Sequence, residues 1–145
     1  MKQHRDLISI LKAKNLRLTP TRKGLIQFIL DNKDRKISLQ EITRFLDKTV
    51  AGVNRSSIYR NLELLKKLDL IQELNLPHKG KCFQYIFDKE VHHYFICKSC
   101  GKASKGNKEL FQRIEQALND VHGFSKANLS MVFYGICEKC KRKSR

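Results

Sequence analysis

Apolar residues recur along the first half of the chain at spacings that only a helix gathers on one side. Leu7, Ile8, Ile10 and Leu11 form such a stripe within the segment Lys2 to Lys14. Leu16 and Leu18 lead into Thr19-Pro20-Thr21, a good N-cap with proline at the first helical position. A second helix follows, with Leu25, Ile26, Phe28, Ile29 and Leu30 on its inward side, and Asp31-Asn32-Lys33-Asp34 stops it. Ser38-Leu39-Gln40-Glu41 is a capping-box pattern that starts a short helix through Leu46. Asn54 caps the next helix, whose buried side is Ile58, Leu62, Leu65 and Leu68 and whose outer face includes Arg55, Ser57, Tyr59 and Arg60. Leu70 to Leu74 and Cys82 to Phe87 read as two strands around a loop with Pro77 and Gly80. Helix, turn, a polar helix and a two-stranded wing predict a winged helix-turn-helix over residues 1–87, its last helix shaped for a major groove.

The pattern changes over residues 88–145. Tyr94-Phe95-Ile96 is strand-like, Glu109 to Val121 is an amphipathic helix with Leu110, Ile114 and Leu118 inward, and Ser130 to Ile136 is strongly β-prone. The expected fold class is α+β, a winged helix joined to a small α/β dimerisation domain. That second domain has too little core to stand comfortably alone, so dimerisation by strand pairing or helix packing is expected.

The 145 residues carry 30 Lys+Arg against 14 Asp+Glu, a formal charge of +16. Such an excess points to a polyanion partner, nucleic acid before others. The segment Lys139 to Arg145 reads as a basic, solvated tail that can also touch phosphate. No apolar run resembles a signal peptide or approaches the roughly 20 residues of a membrane span, so the expected compartment is the cytoplasm. There, clustered cysteines are metal sites or reactive thiols more often than disulfides. Cys97-Lys98-Ser99-Cys100 and Cys137-Glu138-Lys139-Cys140 supply the four soft ligands of a closed, tetrahedral structural zinc site. Two free dithiols or two short-loop disulfides are the competing readings, and both pairs read as turn elements. No Gly-rich phosphate loop, nucleophile elbow or usefully spaced carboxylate pair is present, and four cysteines close the position a catalytic zinc keeps open, so an enzyme is not expected. A zinc-ribbon RNA-binding protein is a further reading. Against it, the aromatics are not interleaved with basic residues as a base-stacking platform requires.

Four runs in order, Arg17-Leu18-Thr19-Pro20-Thr21-Arg22, Ser57-Ile58-Tyr59-Arg60-Asn61-Leu62, His92-His93-Tyr94-Phe95-Ile96-Cys97-Lys98-Ser99-Cys100-Gly101 and Phe133-Tyr134-Gly135-Ile136-Cys137-Glu138-Lys139-Cys140, resemble the ferric uptake regulator (Fur) family over nearly the whole chain. The resemblance implies a homodimeric, metal-responsive transcription factor, a repressor of metal-homeostasis genes acting on a double-stranded DNA operator. It implies that Tyr59 and Arg60 lie on the recognition helix and reach DNA. Arg55, Ser56 and Ser57 open that helix, and Lys14 and Arg17 stand where they can meet the backbone or the minor groove. Tyrosine can meet a thymine methyl or a phosphate, and arginine can be bidentate to guanine.

Members of that family usually carry a second, regulatory site of histidines and carboxylates for Fe²⁺, Mn²⁺, Zn²⁺ or Ni²⁺. Here the pattern departs. Aligned on Cys97, the family's His-x-His becomes His92-His93-Tyr94, and the other ligand positions fall on Lys105, Gln84, Leu129 and near Lys36. A lysine in place of a ligand carboxylate repels a dication. What remains is Cys82, Glu90, His92 and His93, with His78 nearby, and thiolate with imidazole favours Zn²⁺. The expectation is a zinc-sensing site from Cys82 and His92 with His93 or Glu90, in the manner of zinc-sensing members. The alternatives are a buried structural Cys82, or a regulator that binds DNA without metal or answers to thiol oxidation at Cys82.

Overall fold

The computed structural model describes residues 2–86, 93–125 and 131–144, with side chains from residue 7 onward. The chain divides into two compact units, one comprising Met1–Glu73 with Lys81–Tyr85 and the other Leu74–Gly80 with Ile86–Arg145.

The first unit is built by local signals. Helix α1 spans Lys2–Ala13 and buries Leu7 and Leu11. Helix α2, Pro20–Asp31, starts where Thr19 accepts the Arg22 N–H and buries Leu25, Ile26 and Ile29. Phe28 lies half-buried, stacked on Phe45 at 4.5 Å. A two-residue strand β1, Ile37–Ser38, precedes α3, Leu39–Thr49, whose capping box between Ser38 and Glu41 is complete. A methyl at Gly24 would stand 3.1 Å from Leu46 and 3.2 Å from Val50, so the missing side chain lets α2 approach α3 closely. Helix α4, Arg55–Lys67, is capped by Asn54, whose side chain accepts the Ser57 N–H. Its buried side is Ile58, Asn61, Leu62 and Leu65, and Leu68 is the half-buried C-cap. Strands β2, Ile71–Leu76, and β3, Gly80–Tyr85, complete a three-stranded sheet in the order β1-β3-β2. The register pairs Ile37 with Phe83 and Ser38 with Cys82.

In the second unit, β4, Tyr94–Cys97, is central, with β5, Ala103–Lys105, antiparallel on one side. Helix α5, Lys108–His122, then carries the chain over to β6, Val132–Gly135, which pairs parallel to β4 on the other side. The end of the wing hairpin belongs to this unit. Leu74 packs with Tyr94 and Ile96, beside Leu76, Ala103 and Val132, and the Asn75 N–H donates to the Tyr134 hydroxyl.

Three expectations need correction here. The residue of α5 that enters the core is Phe111, while Leu110 is 44 % exposed, because the sheet meets the helix one residue further along than the apolar period suggested. Ile114 and Leu118 are half-buried. The expected tail after the last cysteine is in part a short helix α6, Glu138–Lys143, N-capped by Cys137. The second cysteine pair therefore lies at a helix start, not in a plain turn, and the basic residues Lys141, Arg142 and Lys143 occupy the last turn, where they complement the helix dipole. Among the described residues, no helix is long and apolar enough to cross a membrane.

Candidate metal centre and nucleic-acid interface

Strand β4 ends in Cys97 and turns at once. The Gly101 N–H returns to the Cys97 carbonyl at 2.9 Å, and Gly101 takes the left-handed backbone (φ 80°) that a side chain would resist. Parallel pairing of β6 beside β4 brings Cys137 to the same end of the sheet, and the first turn of α6 brings Cys140. The four ligand sulfurs of Cys97, Cys100, Cys137 and Cys140 lie within 4.8 Å of one another. Cys97 and Cys140 are 3.8 Å apart, as are Cys100 and Cys137. Zinc bonded to four sulfurs at about 2.3 Å in a tetrahedron separates them by about 3.8 Å, so the cluster fits the ion as it stands.

The backbone around the cluster is set for negative sulfur. The Cys100 N–H points at Cys97 Sγ at 3.5 Å and the Cys137 N–H at 3.4 Å. Those two bonds hold the Cys97 thiol down to about 6. The Cys140 N–H lowers Cys137 in the same way. At Cys140 a bond to Ser99 favours the thiolate, but the Cys137 sulfur, burial and the remaining thiols outweigh it and push the group up to about 11. Four adjacent sulfurs cannot all ionise unaided, and a dication is the natural replacement for their protons. Cys97, Cys100, Cys137 and Cys140 form a potential metal site whose four soft ligands fit a structural zinc.

Of the regulatory ligands expected from the sequence, Cys82 and His93 are among the described residues. Cys82 is buried on β3 opposite Ser38, in the first unit. His93 is buried in the second. Its ring stacks on Phe111 at 4.1 Å, and its Nδ1 accepts the Met131 N–H at 3.1 Å. Glu90 and His92 lie outside the described residues. Among the described residues the four-cysteine group is the cluster that could hold a metal.

On the first unit, α4 shows Tyr59, Arg60, Arg55 and Ser56 at its surface, with Ser57 half-buried. Arg55 pairs with Asp47 at 3.3 Å, and Arg60 Nε donates to the Ser56 carbonyl at 3.3 Å. Tyr59 borders a groove of about 310 Å³ floored by Leu39, Leu62 and Phe83 and rimmed by Glu63, Glu73 and Lys81. Lys66 bridges Glu63 and Glu73 there, at 2.9 and 3.3 Å, tying α4 to β2. Lys14 and Arg17 are exposed in the connection from α1 to α2. Sequence reading missed Arg22 and Asn61 as working residues. Their only trace was their presence in the runs that carried the resemblance.

The profile of the Ferric uptake regulator family matches residues 13–134 of the chain. The chain belongs to this family. It is 30 % identical over 139 residues to a ferric uptake regulation protein of Staphylococcus epidermidis, with 96 % of each chain covered. It is 26 % identical over 141 residues to the peroxide-responsive repressor PerR of Staphylococcus saprophyticus, covering 97 % of this chain and 93 % of that one. Among solved structures it resembles a zinc uptake regulator complexed with zinc and DNA, with a TM-score of 0.66 at 21 % identity, over 99 % of this chain and 95 % of that one. The Helicobacter pylori ferric uptake regulator, with three functional metal binding sites, gives a TM-score of 0.64 at 22 % identity, over 94 % and 90 %. As a member of the ferric uptake regulator family the chain is a DNA-binding transcriptional regulator of the metal-responsive class.

Proposed function

We propose that this ferric uptake regulator family protein is a homodimeric repressor of metal-homeostasis genes that reads an operator with α4. It acts by binding and not by catalysis. The observation that carries the reading is the outer face of α4: a helix capped by Asn54, opening on Arg55, Ser56 and Ser57, and presenting Tyr59 and Arg60 on a chain of charge +16. Lys14 and Arg17 add phosphate contacts beside it. The homodimer is supported by apolar surface the single chain leaves uncovered: Phe95, Phe133, Tyr134 and Ile136 around the sheet, and Leu110, Val121 and Phe124 on and after α5, with Val121 72 % exposed.

The DNA assignment is tested on a duplex that the wild-type protein selects from a random library. Tyr59→Ala or Arg60→Ala should cost roughly 1–3 kcal/mol of discrimination. Lys14→Ala should weaken all duplexes alike and flatten the salt dependence by about 0.9 in slope. Equal competition by structured RNA would refute the operator reading.

For the signal, we propose a second, labile zinc held by Cys82 and His92 with Glu90. The chemistry of thiolate and imidazole supports zinc over harder metals. His93 is a poorer ligand than the sequence suggested: its Nδ1 lone pair already takes the Met131 N–H, which leaves the neutral ring's proton on Nε2. Burial of Cys82 weighs against the thiol-oxidation alternative, since shielded thiols are inert. Zinc-dependent operator binding that survives Cys82→Ser and His92→Ala unchanged would reject the labile site in favour of metal-independent binding.

A further inference from the structure

Asn61 is a polar residue on the buried side of α4, only 6 % exposed, and both ends of its amide are used. Its Oδ1 accepts Arg22 Nε at 2.8 Å, and its Nδ2 donates to the Ser57 carbonyl at 2.8 Å. Arg22 is in the first turn of α2, and its Nη1 donates onward to the Arg17 carbonyl. The Arg22 N–H is itself held by the Thr19 cap. A continuous chain of hydrogen bonds thus runs from the Arg17 backbone through one guanidinium and one amide to the first turn of α4. Its two ends are the two segments that reach for DNA in the proposed function, the Lys14–Arg17 connection and the opening turn of α4.

We infer that Arg22 and Asn61 are positioning residues for operator recognition: they fix the Arg17 segment and the opening turn of α4 in one relative placement, so that base and phosphate contacts form together. Neither residue needs to touch DNA. A guanidinium suits the task because its planar fork donates in two directions from one rigid group, which a single ammonium on a flexible stem cannot reproduce. A buried amide suits it because each unmade bond would leave a polar group stranded, so the arrangement has one satisfied geometry. Nonspecific binding, which depends on summed charge, should be indifferent to this placement.

The inference rests on the reading of α4 as the recognition helix, and the test separates the two. The probes are the duplex selected by the wild-type protein and a scrambled duplex of equal length. Asn61→Leu, which removes both bonds while keeping a similarly branched side chain, and Arg22→Lys, which keeps the charge but loses the fork, should each weaken the selected duplex by about tenfold or more, within the range of one misplaced base contact. Both should bind the scrambled duplex within about twofold of wild type at the same salt. Arg22 is half-buried, so Arg22→Lys carries the test if Asn61→Leu fails to fold. Folded variants that bind the selected duplex as wild type does would overturn the inference alone. So would parallel losses on both duplexes, tracking a lowered melting temperature, which mark a purely structural pair. A wild-type protein that enriches no sequence at all would remove the recognition-helix reading and this inference with it.

Discussion

Replacing Gly106 with alanine puts a methyl where the Phe111 ring already lies. A Cβ at this position would fall 2.0 Å from one ring carbon, 2.8 Å from the next and 3.0 Å from a third. The ring has nowhere to retreat. Phe111 is fully buried, stacked on His93 at 4.1 Å and tilted against Phe95 and Phe133 at 5.4 and 5.6 Å. Gly106 is pinned as well, its N–H donating to the His93 carbonyl at 2.7 Å. Overpacking of this kind costs about 1–3 kcal/mol, and with both partners held the upper end applies, about 3 kcal/mol. Backbone strain does not contribute, because Gly106 is outside the left-handed region that Gly52, Gly80, Gly101 and Gly123 occupy. The sign of the effect therefore depends on Phe111. Phe111→Ala alone should cost about 3–5 kcal/mol through the cavity it leaves. In that background the three ring carbons nearest the Gly106→Ala methyl are gone, and the lower entropy of the unfolded chain makes it neutral to stabilising, by up to about 1 kcal/mol. Urea unfolding of the zinc-loaded protein, followed by circular dichroism across the four-member cycle, measures both quantities. An equal cost in both backgrounds would refute the packing argument, and with it the view that Phe111 anchors the second unit.

Other outcomes follow from the same geometry. Cys137→Ser removes one of the four sulfurs while keeping the backbone N–H that faces Cys97 Sγ; it should abolish zinc retention, expose the apolar face to aggregation or disorder, and move the protein out of the dimer peak in sedimentation. Ser38→Ala breaks a complete capping box at the head of α3 and should cost about 1 kcal/mol, read as a shifted denaturation midpoint with unchanged zinc content. Val121→Glu on the uncovered side of α5 should leave the fold and zinc intact while weakening dimer association, measured as a raised dissociation constant.

The parts of this fold that could be read from the chain are those set by neighbours in sequence. Thr19-Pro20, the Ser38–Glu41 box and the Asn54 cap each act within three residues, and each is found doing so. Strands β1 and β5 were not legible, because two or three residues become a strand only when a distant segment offers hydrogen bonds, as Phe83 does for Ile37. The apolar period of α5 marked a stripe but not which edge of it faces the sheet. The helix carries more apolar surface than one sheet face covers, and the single chain buries Phe111 while leaving Leu110 and Val121 outside. Asn61 escaped notice because a hydropathy pattern assigns polar residues to the surface, whereas its amide is buried and satisfied by Arg22, thirty-nine residues away in the chain. The metal centre was legible because ligand type and spacing are chemistry written in the sequence; the strand pairing that brings Cys97 and Cys137 together was not.

The most direct test is zinc per chain by elemental analysis, before and after EDTA, with accessible thiols titrated alongside. One zinc that resists EDTA, with the four cluster thiols silent until it is stripped, is the predicted result for the structural site; a second zinc lost to EDTA in the wild type, and missing in Cys82→Ser, is the predicted mark of the sensor. A folded chain that holds no zinc, or whose four cluster thiols react freely with zinc present, would contradict the account.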